Sequence, residues 1–206
     1  SGNIVINANE KNVITSKGYI AVYATNDDEK IGKIVISSKL NEISGKEGVT
    51  VVGGKIEINS TEKTVILGEE YGVRSNSPGG KIDINSSNTI IKAQAENGVG
   101  IEATTGGNLN IDSTNTIIFG KKYSIYAESI GPDAILSEIT LSGNGSHEIY
   151  GNIESYGNTS IKIGGKGNKI SSSSDNKPLI VTATKGGKID ISLVDGILTG
   201  IVDDGR

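Results

Sequence analysis

The sequence predicts an all-β fold in which short strands stack into a parallel β-solenoid, and three patterns support this prediction. Glycine accounts for 29 of the 206 residues, and Ile, Asn, Ser and Thr take the places of residues that favour helices. A three-residue apolar-x-apolar element recurs along the whole chain. A further apolar residue follows each element at a nearly constant distance. Short alternating runs bounded by turn residues are typical of strands.

The recurring element begins a new unit every 22 to 30 residues. Each unit holds three short apolar runs, and a unit of this size cannot bury its own apolar side chains. Neighbouring units must therefore stack and share one core. The elements are Ile4-Val5-Ile6, Ile34-Val35-Ile36, Ile56-Glu57-Ile58, Ile82-Asp83-Ile84, Leu109-Asn110-Ile111, Ile139-Thr140-Leu141, Ile161-Lys162-Ile163 and Ile189-Asp190-Ile191.

The second apolar position of each unit lies nine or ten residues after the start of the element. These positions are Ile14, Ile43, Ile66, Ile91, Ile118, Ile149, Ile170 and Leu198. A third apolar segment follows at a less regular distance. The unit length varies, and crossovers between parallel strands are strongly biased towards the right-handed sense. We therefore expect residues 1–206 to form a single domain, a right-handed parallel β-helix of about eight three-stranded coils.

The composition argues against several classes of site. The chain has no cysteine, which excludes disulfides and thiolate metal ligands, and we expect neither a metal nor a cofactor. Its 20 basic and 24 acidic residues are interspersed, which disfavours binding to nucleic acid. The apolar runs are too short to span a bilayer. The chain starts at Ser1 without an initiator Met, so we expect it to be a piece of a longer protein.

The residue after each element carries a short polar side chain in most units, which suits a corner between two strands. Asn59 and Asn85 follow the elements of adjacent units. If the units stack in register, the two amides can form a short polar ladder. We interpret this ladder as a structural feature of the corner.

Several coils are similar to those of a known family of secreted proteins. The Gly-Gly-Lys-Ile-Asp-Ile sequences at 79–84 and 186–191, the segments 147–153, 160–165 and 168–170, and the absence of cysteine resemble passenger domains of Gram-negative autotransporters. The resemblance implies an exported cell-surface protein, anchored through an outer-membrane barrel that lies outside this chain. Many such passengers are adhesins. It therefore implies adhesion to host cells, matrix or other bacteria, with a surface protein or glycan as partner and the chain monomeric within a longer protein.

Two other functions stay open, a carbohydrate-active β-helix enzyme and a purely structural stalk. Glu57 and Asp83 occupy the outward middle position of adjacent elements, about 5 Å apart, which is the carboxylate spacing of a retaining glycosidase. Lys55 and Lys81 stack beside them, so a charged, solubilising surface is the favoured interpretation. We expect no enzymatic activity.

His147 is a weak candidate for chemistry, and Arg74 stands alone. His147 is the only histidine, and Glu148 beside it supplies one further metal ligand or acid–base partner at most. We therefore expect an exposed histidine without a role. Arg74 stands apart from the acidic runs, whereas a lyase needs a basic residue near an acidic, calcium-binding cluster.

Two features of the first five units are candidates for partner binding. Tyr19, Tyr71 and Tyr123 lie at nearly equal offsets in the first, third and fifth units. There they form either an exposed aromatic column or an inward filling of the core. The first unit also carries an acidic loop that contains Asp27 and Asp28, which we interpret as a solvated loop that a partner could contact.

The fifth unit carries its additional residues in the loop from Glu128 to Ser137, which is unusually apolar. The candidates for partner binding in this loop are Ile130, Pro132, Asp133 and Ile135. Loops on a rigid repetitive scaffold are frequent sites of recognition. The apolar side chains either fold back onto the solenoid or present a small contact patch to a partner.

Overall fold

The chain is a stack of β-strands in a computed structural model that describes residues 2–27, 30–174, 177–199 and 201–203. The strands in these ranges are β1 (Asn3–Asn7), β2 (Lys11–Thr15), β3 (Ile20–Asp27), β4 (Lys30–Ile31), β5 (Lys33–Val52), β6 (Lys55–Asn76), β7 (Lys81–Ala93), β8 (Val99–Thr104), β9 (Asn108–Ser129), β10 (Ser137–Ser142), β11 (His147–Gly157), β12 (Thr159–Ile163), β13 (Lys169–Ser171), β14 (Ile180–Thr184), β15 (Lys188–Ile191), β16 (Ile197–Leu198) and β17 (Ile201–Asp203). The pairing of β3 with β4 is antiparallel, and the other strand pairs are parallel. In this described part of the chain, no helix has the length and apolar character needed to cross a membrane.

The first face of the solenoid is formed by the apolar-x-apolar elements. Ile58 pairs with Ile84, and Ile84 pairs with Ile111, in parallel register. These three side chains are fully buried, as the sequence predicts. The complete column is Ile6, Ile36, Ile58, Ile84, Ile111, Leu141, Ile163 and Ile191. The predicted β-solenoid is therefore confirmed, with about 7 turns between the first and last of these positions.

The second and third faces close the core. On the second face the predicted apolar positions stack in register from Ile14 to Leu198. The column on the third face is Val22, Val49, Val73, Ile101, Ile125, Ile153 and Val181. The side chains of the three faces meet in one continuous apolar core. Each unit therefore stabilises its neighbours and depends on them.

A column of buried polar side chains runs inside the second face, two residues before the apolar column. Its members are Asn12, Asn41, Thr64, Thr89, Thr116 and His147. His147 is fully buried, so the expectation of an exposed histidine is wrong. It lies two residues before the buried Ile149 in one strand, and side chains at that spacing point to the same side. Burial lowers the pKa of the His147 imidazole, and neither of its ring nitrogens has a hydrogen-bond partner among the described residues.

The corner between the first and second faces is concave and polar. Asn85 Nδ2 donates to Asn59 Oδ1 over 2.9 Å, which confirms the predicted amide ladder. The concavity has a volume of about 810 Å³, and its lining consists mainly of asparagine and serine side chains, with Lys39 as the charged member. The stacked amides and hydroxyls repeat once per coil, so this corner is a regular feature of the solenoid.

Candidate functional site

The outer surface of the third face carries three side chains that stack in successive coils. Arg74 pairs with Glu102, and Glu102 pairs with Tyr126, through strands β6, β8 and β9. Side chains alternate along each strand, so these three point outward while the residues on either side of them fill the core. Parallel pairing spaces the strands by about 4.8 Å. The register therefore brings a guanidinium, a carboxylate and a phenol together on one surface.

The ion pair between Arg74 and Glu102 anchors this surface. Arg74 Nε donates to Glu102 Oε1 over 2.7 Å, and Arg74 Nη1 lies 4.0 Å from Glu47 Oε1. The Arg74 guanidinium also lies over the ring of Tyr71, 4.4 Å from its centroid. Glu102 is only 5% exposed, and burial raises the pKa of its carboxyl group although Arg74 opposes the shift. The pair is thus fixed in place and largely withdrawn from water.

Two stacked tyrosines of strand β9 form the aromatic part of this surface. The rings of Tyr123 and Tyr126 are stacked with their centroids 5.0 Å apart. Tyr126 Oη donates to Glu128 Oε2 over 2.5 Å. Burial raises the pKa of Tyr123 to about 12, and burial together with the Glu128 bond raises the pKa of Tyr126. Both phenols therefore keep their protons at neutral pH and present aromatic faces with a hydroxyl at one end.

These side chains border a cavity of about 320 Å³, which we call the third-face cleft. Its lining is Arg74, Asn76, Glu102, Thr104, Thr105, Tyr126, Glu128, Ser129 and Ile130. Hydrogen-bond donors and acceptors of several kinds thus converge beside an aromatic ring. Cavities of this size that combine an aromatic wall with a few fixed polar groups are typical of small-ligand sites.

The predicted fifth-coil loop forms a second cavity next to the cleft. This cavity, which we call the fifth-coil hollow, has a volume of about 280 Å³. Its lining is Pro78, Thr105, Ser129, Ile130, Gly131, Pro132, Asp133, Ala134 and Ile135. Three of these residues, Thr105, Ser129 and Ile130, also line the cleft. Four predicted binding residues, Ile130, Pro132, Asp133 and Ile135, therefore lie together at the edge of the cleft.

The loop is held against the solenoid by hydrogen bonds to its backbone. Ser129 Oγ donates to the carbonyl oxygen of Ile135 over 2.6 Å, and Asn158 Nδ2 donates to that of Ala134 over 2.8 Å. The side chains of Ile130 and Ile135 are nonetheless 61% and 53% exposed. Of the two predicted arrangements, the loop thus adopts the one that presents an apolar patch.

Thr105 sits between the cleft and the hollow in a strained backbone conformation. Its φ angle is 54° and that of Gly106 is 84°, and Gly107 N–H donates to the Thr104 carbonyl over 3.0 Å. Positive φ is rare for a β-branched residue because the side chain crowds the backbone. The same turn recurs at Lys185 and Gly186, whose φ angles are 51° and 97°. The turn places Thr105 in the lining of both cavities.

The structure separates the three predicted tyrosines. Tyr71 and Tyr123 both pair with Val99, so they lie two coils apart in one outward column beside the cleft. Tyr19 is 79% exposed and lies outside this column, whose first-coil member is Ile20. Tyr71 and Tyr123 are half-buried and Tyr19 is exposed outside their column, so neither of the two predicted arrangements holds for all three tyrosines. Tyr19 falls outside the column because the turn before the third face is different in the first coil.

The acidic loop of the first coil is placed only in part. Asp27 ends β3 and pairs with Lys30 in the antiparallel hairpin. Asp28 lies outside the described residues.

The carboxylates of Glu57 and Asp83 are neutralised by lysines. Glu57 lies 3.0 Å from Lys33 Nζ and 2.8 Å from Lys55 Nζ. Asp83 lies 3.2 Å from Lys81 Nζ and 3.7 Å from Lys55 Nζ. The hydrogen bond from Lys55 lowers the pKa of Glu57, whereas a general acid needs a raised pKa. These lysine-paired carboxylates therefore fit a charged surface better than a catalytic pair.

Apart from Arg74, the polar members of the cleft were not among the residues that the sequence singled out. Arg74 was expected to stand alone, which is wrong, because Glu102 lies directly beside it in the next coil. A signal exists, since Arg74, Glu102 and Tyr126 each lie one residue after the apolar third-face position of their coil. Aligning the third segments on these apolar residues would have placed the three side chains in one column.

Comparison with known proteins provides no functional assignment. No protein-family model, curated protein sequence or solved structure matches this chain. In the described ranges, no group of three or more His, Asp or Glu side chains is arranged to hold a metal ion.

Proposed function

We propose that this chain is a cell-surface adhesion segment that binds glycans at the third-face cleft. The observation that carries the proposal is the in-register stack of Arg74, Glu102 and Tyr126, which faces one cavity beside the ring of Tyr123. Sugars present an apolar ring face and a rim of hydroxyls. An aromatic wall packs against the ring face, and paired hydrogen-bond donors and acceptors bind the hydroxyls.

The solenoid supports this proposal through rigidity. Arg74, Glu102 and Tyr126 sit on paired strands whose inward-facing neighbours are buried, so their positions are set before a ligand arrives. Preorganisation lowers the entropy lost on binding. A modest cavity on a rigid surface can therefore hold a flexible glycan.

The resemblance of the coils to autotransporter passengers gives the proposal its cellular setting. In that setting the chain is displayed on the cell surface as one part of a longer protein. The partner is a glycan on a host cell, on matrix or on another bacterium. Adhesion would then arise from binding, without chemical turnover.

Calorimetry of the purified chain with a panel of host and bacterial oligosaccharides tests the proposal. We expect Glu102→Gln and Tyr126→Leu to weaken binding about 10-fold to 100-fold, the usual effect of losing a charged hydrogen bond or an aromatic contact. Glu57→Gln is the matched control, because it removes an outward, ion-paired carboxylate from the first face. Equal weakening by the control, or no binding of any sugar by a folded chain, would refute the proposal.

One observation favours a carbohydrate-active enzyme as the second candidate. The raised pKa of the Glu102 carboxyl group and the presence of Glu128 in the same cleft are features of an acid–base pair. Incubation with polysaccharides, followed by a measurement of new reducing ends, separates the two functions. Turnover that Glu102→Gln abolishes would establish the enzyme, and a chain that neither binds nor cleaves sugars would indicate a structural stalk.

A further inference from the structure

The third-face cleft and the fifth-coil hollow form one composite site with two chemically different halves. They share the lining residues Thr105, Ser129 and Ile130, so the two cavities lie side by side and a ligand in one reaches the border of the other. The cleft side offers a guanidinium, two carboxylates and a phenol. The hollow side offers mainly the aliphatic groups of Pro78, Ile130, Pro132, Ala134 and Ile135.

The apolar half is formed in the absence of a ligand. Hydrogen bonds from Ser129 Oγ and Asn158 Nδ2 hold the loop backbone, so the exposed Ile130 and Ile135 side chains do not result from a loose loop. Leaving apolar side chains in water is unfavourable, and burying one methyl or methylene group is worth about a fourfold gain in affinity. A ligand that fills both halves therefore binds more tightly than one that fills only the cleft.

We infer that the glycan recognised here bears a methyl group, as an acetamido or a 6-deoxy substituent, which enters the fifth-coil hollow while the sugar ring occupies the cleft. This inference rests on the proposed function. A sugar that carries hydroxyls alone satisfies the polar half and leaves the hollow in contact with water. Asp133 also lines the hollow, so a carboxylate is available to accept the N–H of an acetamido group.

Matched pairs of sugars test this inference by calorimetry or by ligand-observed NMR. The pairs are N,N′-diacetylchitobiose against cellobiose, for the acetamido group, and L-fucose against L-galactose, for the 6-deoxy group. We expect the methyl-bearing member of at least one pair to bind about fourfold to tenfold more tightly to the unmodified chain. The pair that shows the preference identifies the substituent.

Variants of the loop assign the preference to the hollow. Ile135→Ser should reduce the affinity ratio within the preferred pair to near one. Leu136→Ser is the matched control, because Leu136 is also an exposed aliphatic residue of this loop but does not line the hollow, and it should keep the ratio. Glu102→Gln should weaken both members of the pair by a similar factor.

The outcomes of these experiments distinguish this inference from the proposed glycan binding on which it rests. Binding of sugars without preference in either pair, or a preference that Ile135→Ser leaves unchanged, would overturn the inference and leave the glycan-binding proposal standing. Failure of every sugar to bind would overturn both.

Discussion

Truncation of Ile84 to alanine tests the arrangement of the core most directly. Ile84 is fully buried in the middle of the first-face column, between Ile58 and Ile111. Its sequence neighbour Asp83 points outward and lies 3.2 Å from Lys81 Nζ. The two adjacent residues therefore occupy opposite environments on one strand. Alanine at each position removes a side chain of similar size from the core or from the surface.

The expected magnitudes follow from these environments. Removal of a fully buried isoleucine costs about 2 to 5 kcal/mol, and the enclosed position of Ile84 favours a value of about 3 to 4 kcal/mol. Loss of a partly exposed ion pair costs less than about 1 kcal/mol. For a chain of this length, each kcal/mol lowers the melting temperature by about 2 to 4 °C. We therefore expect Ile84→Ala to melt about 10 °C below the unmodified chain and Asp83→Ala within about 3 °C of it.

Thermal melts followed by circular dichroism, with urea unfolding as a second measurement, would provide these values. Ile6→Ala is a useful control, because Ile6 belongs to the same column but is only half-buried in the first coil. Its effect should be smaller than that of Ile84→Ala. Equal destabilisation by Ile84→Ala and Asp83→Ala would show that the inward and outward assignment of this strand is wrong.

Three further predictions concern the buried histidine, the strained turn and the fifth-coil loop. Burial lowers the pKa of His147 from 6.5, so below that pH the unfolded chain binds a proton that the folded chain does not. The free energy of unfolding should then fall as the pH drops below about 6.5, by up to about 1.4 kcal/mol per pH unit. Urea unfolding should show a weaker fall for His147→Thr. Equal dependence on pH in the two chains would contradict this account. Thr105→Gly should raise the melting temperature by a few degrees by relieving strain at positive φ, and no gain would show that the turn is not strained. Replacing residues 130–136 by a Gly-Ser turn should preserve the circular dichroism spectrum but lower the adhesion of bacteria that display the chain, and unchanged adhesion would exclude the loop.

The regular parts of this fold could be predicted from sequence because they depend on local spacing. The columns through Ile84 and Ile91 follow from a period of two within strands and a nearly constant offset between them. The cleft depends on register between third-face segments, and their offset varies because the preceding turns differ in length. Arg74 and Glu102 could not be paired until that register was known. His147 was misplaced because a glycine-rich turn before it suggested exposure, whereas its spacing from Ile149 decides its direction.

The parallel pairing between coils also determines how the molecule responds to tension. The hydrogen bonds between coils run along the axis of the stack, so a pull on its two ends loads them end-on. We expect them to open in sequence from one end, a coil at a time, whereas strands pulled along their own length must break many bonds at once. Each coil that opens lengthens the chain and lowers the force on the remaining hydrogen bonds. If the chain holds a cell to a surface, we therefore expect the solenoid to extend under flow before the attachment itself is lost.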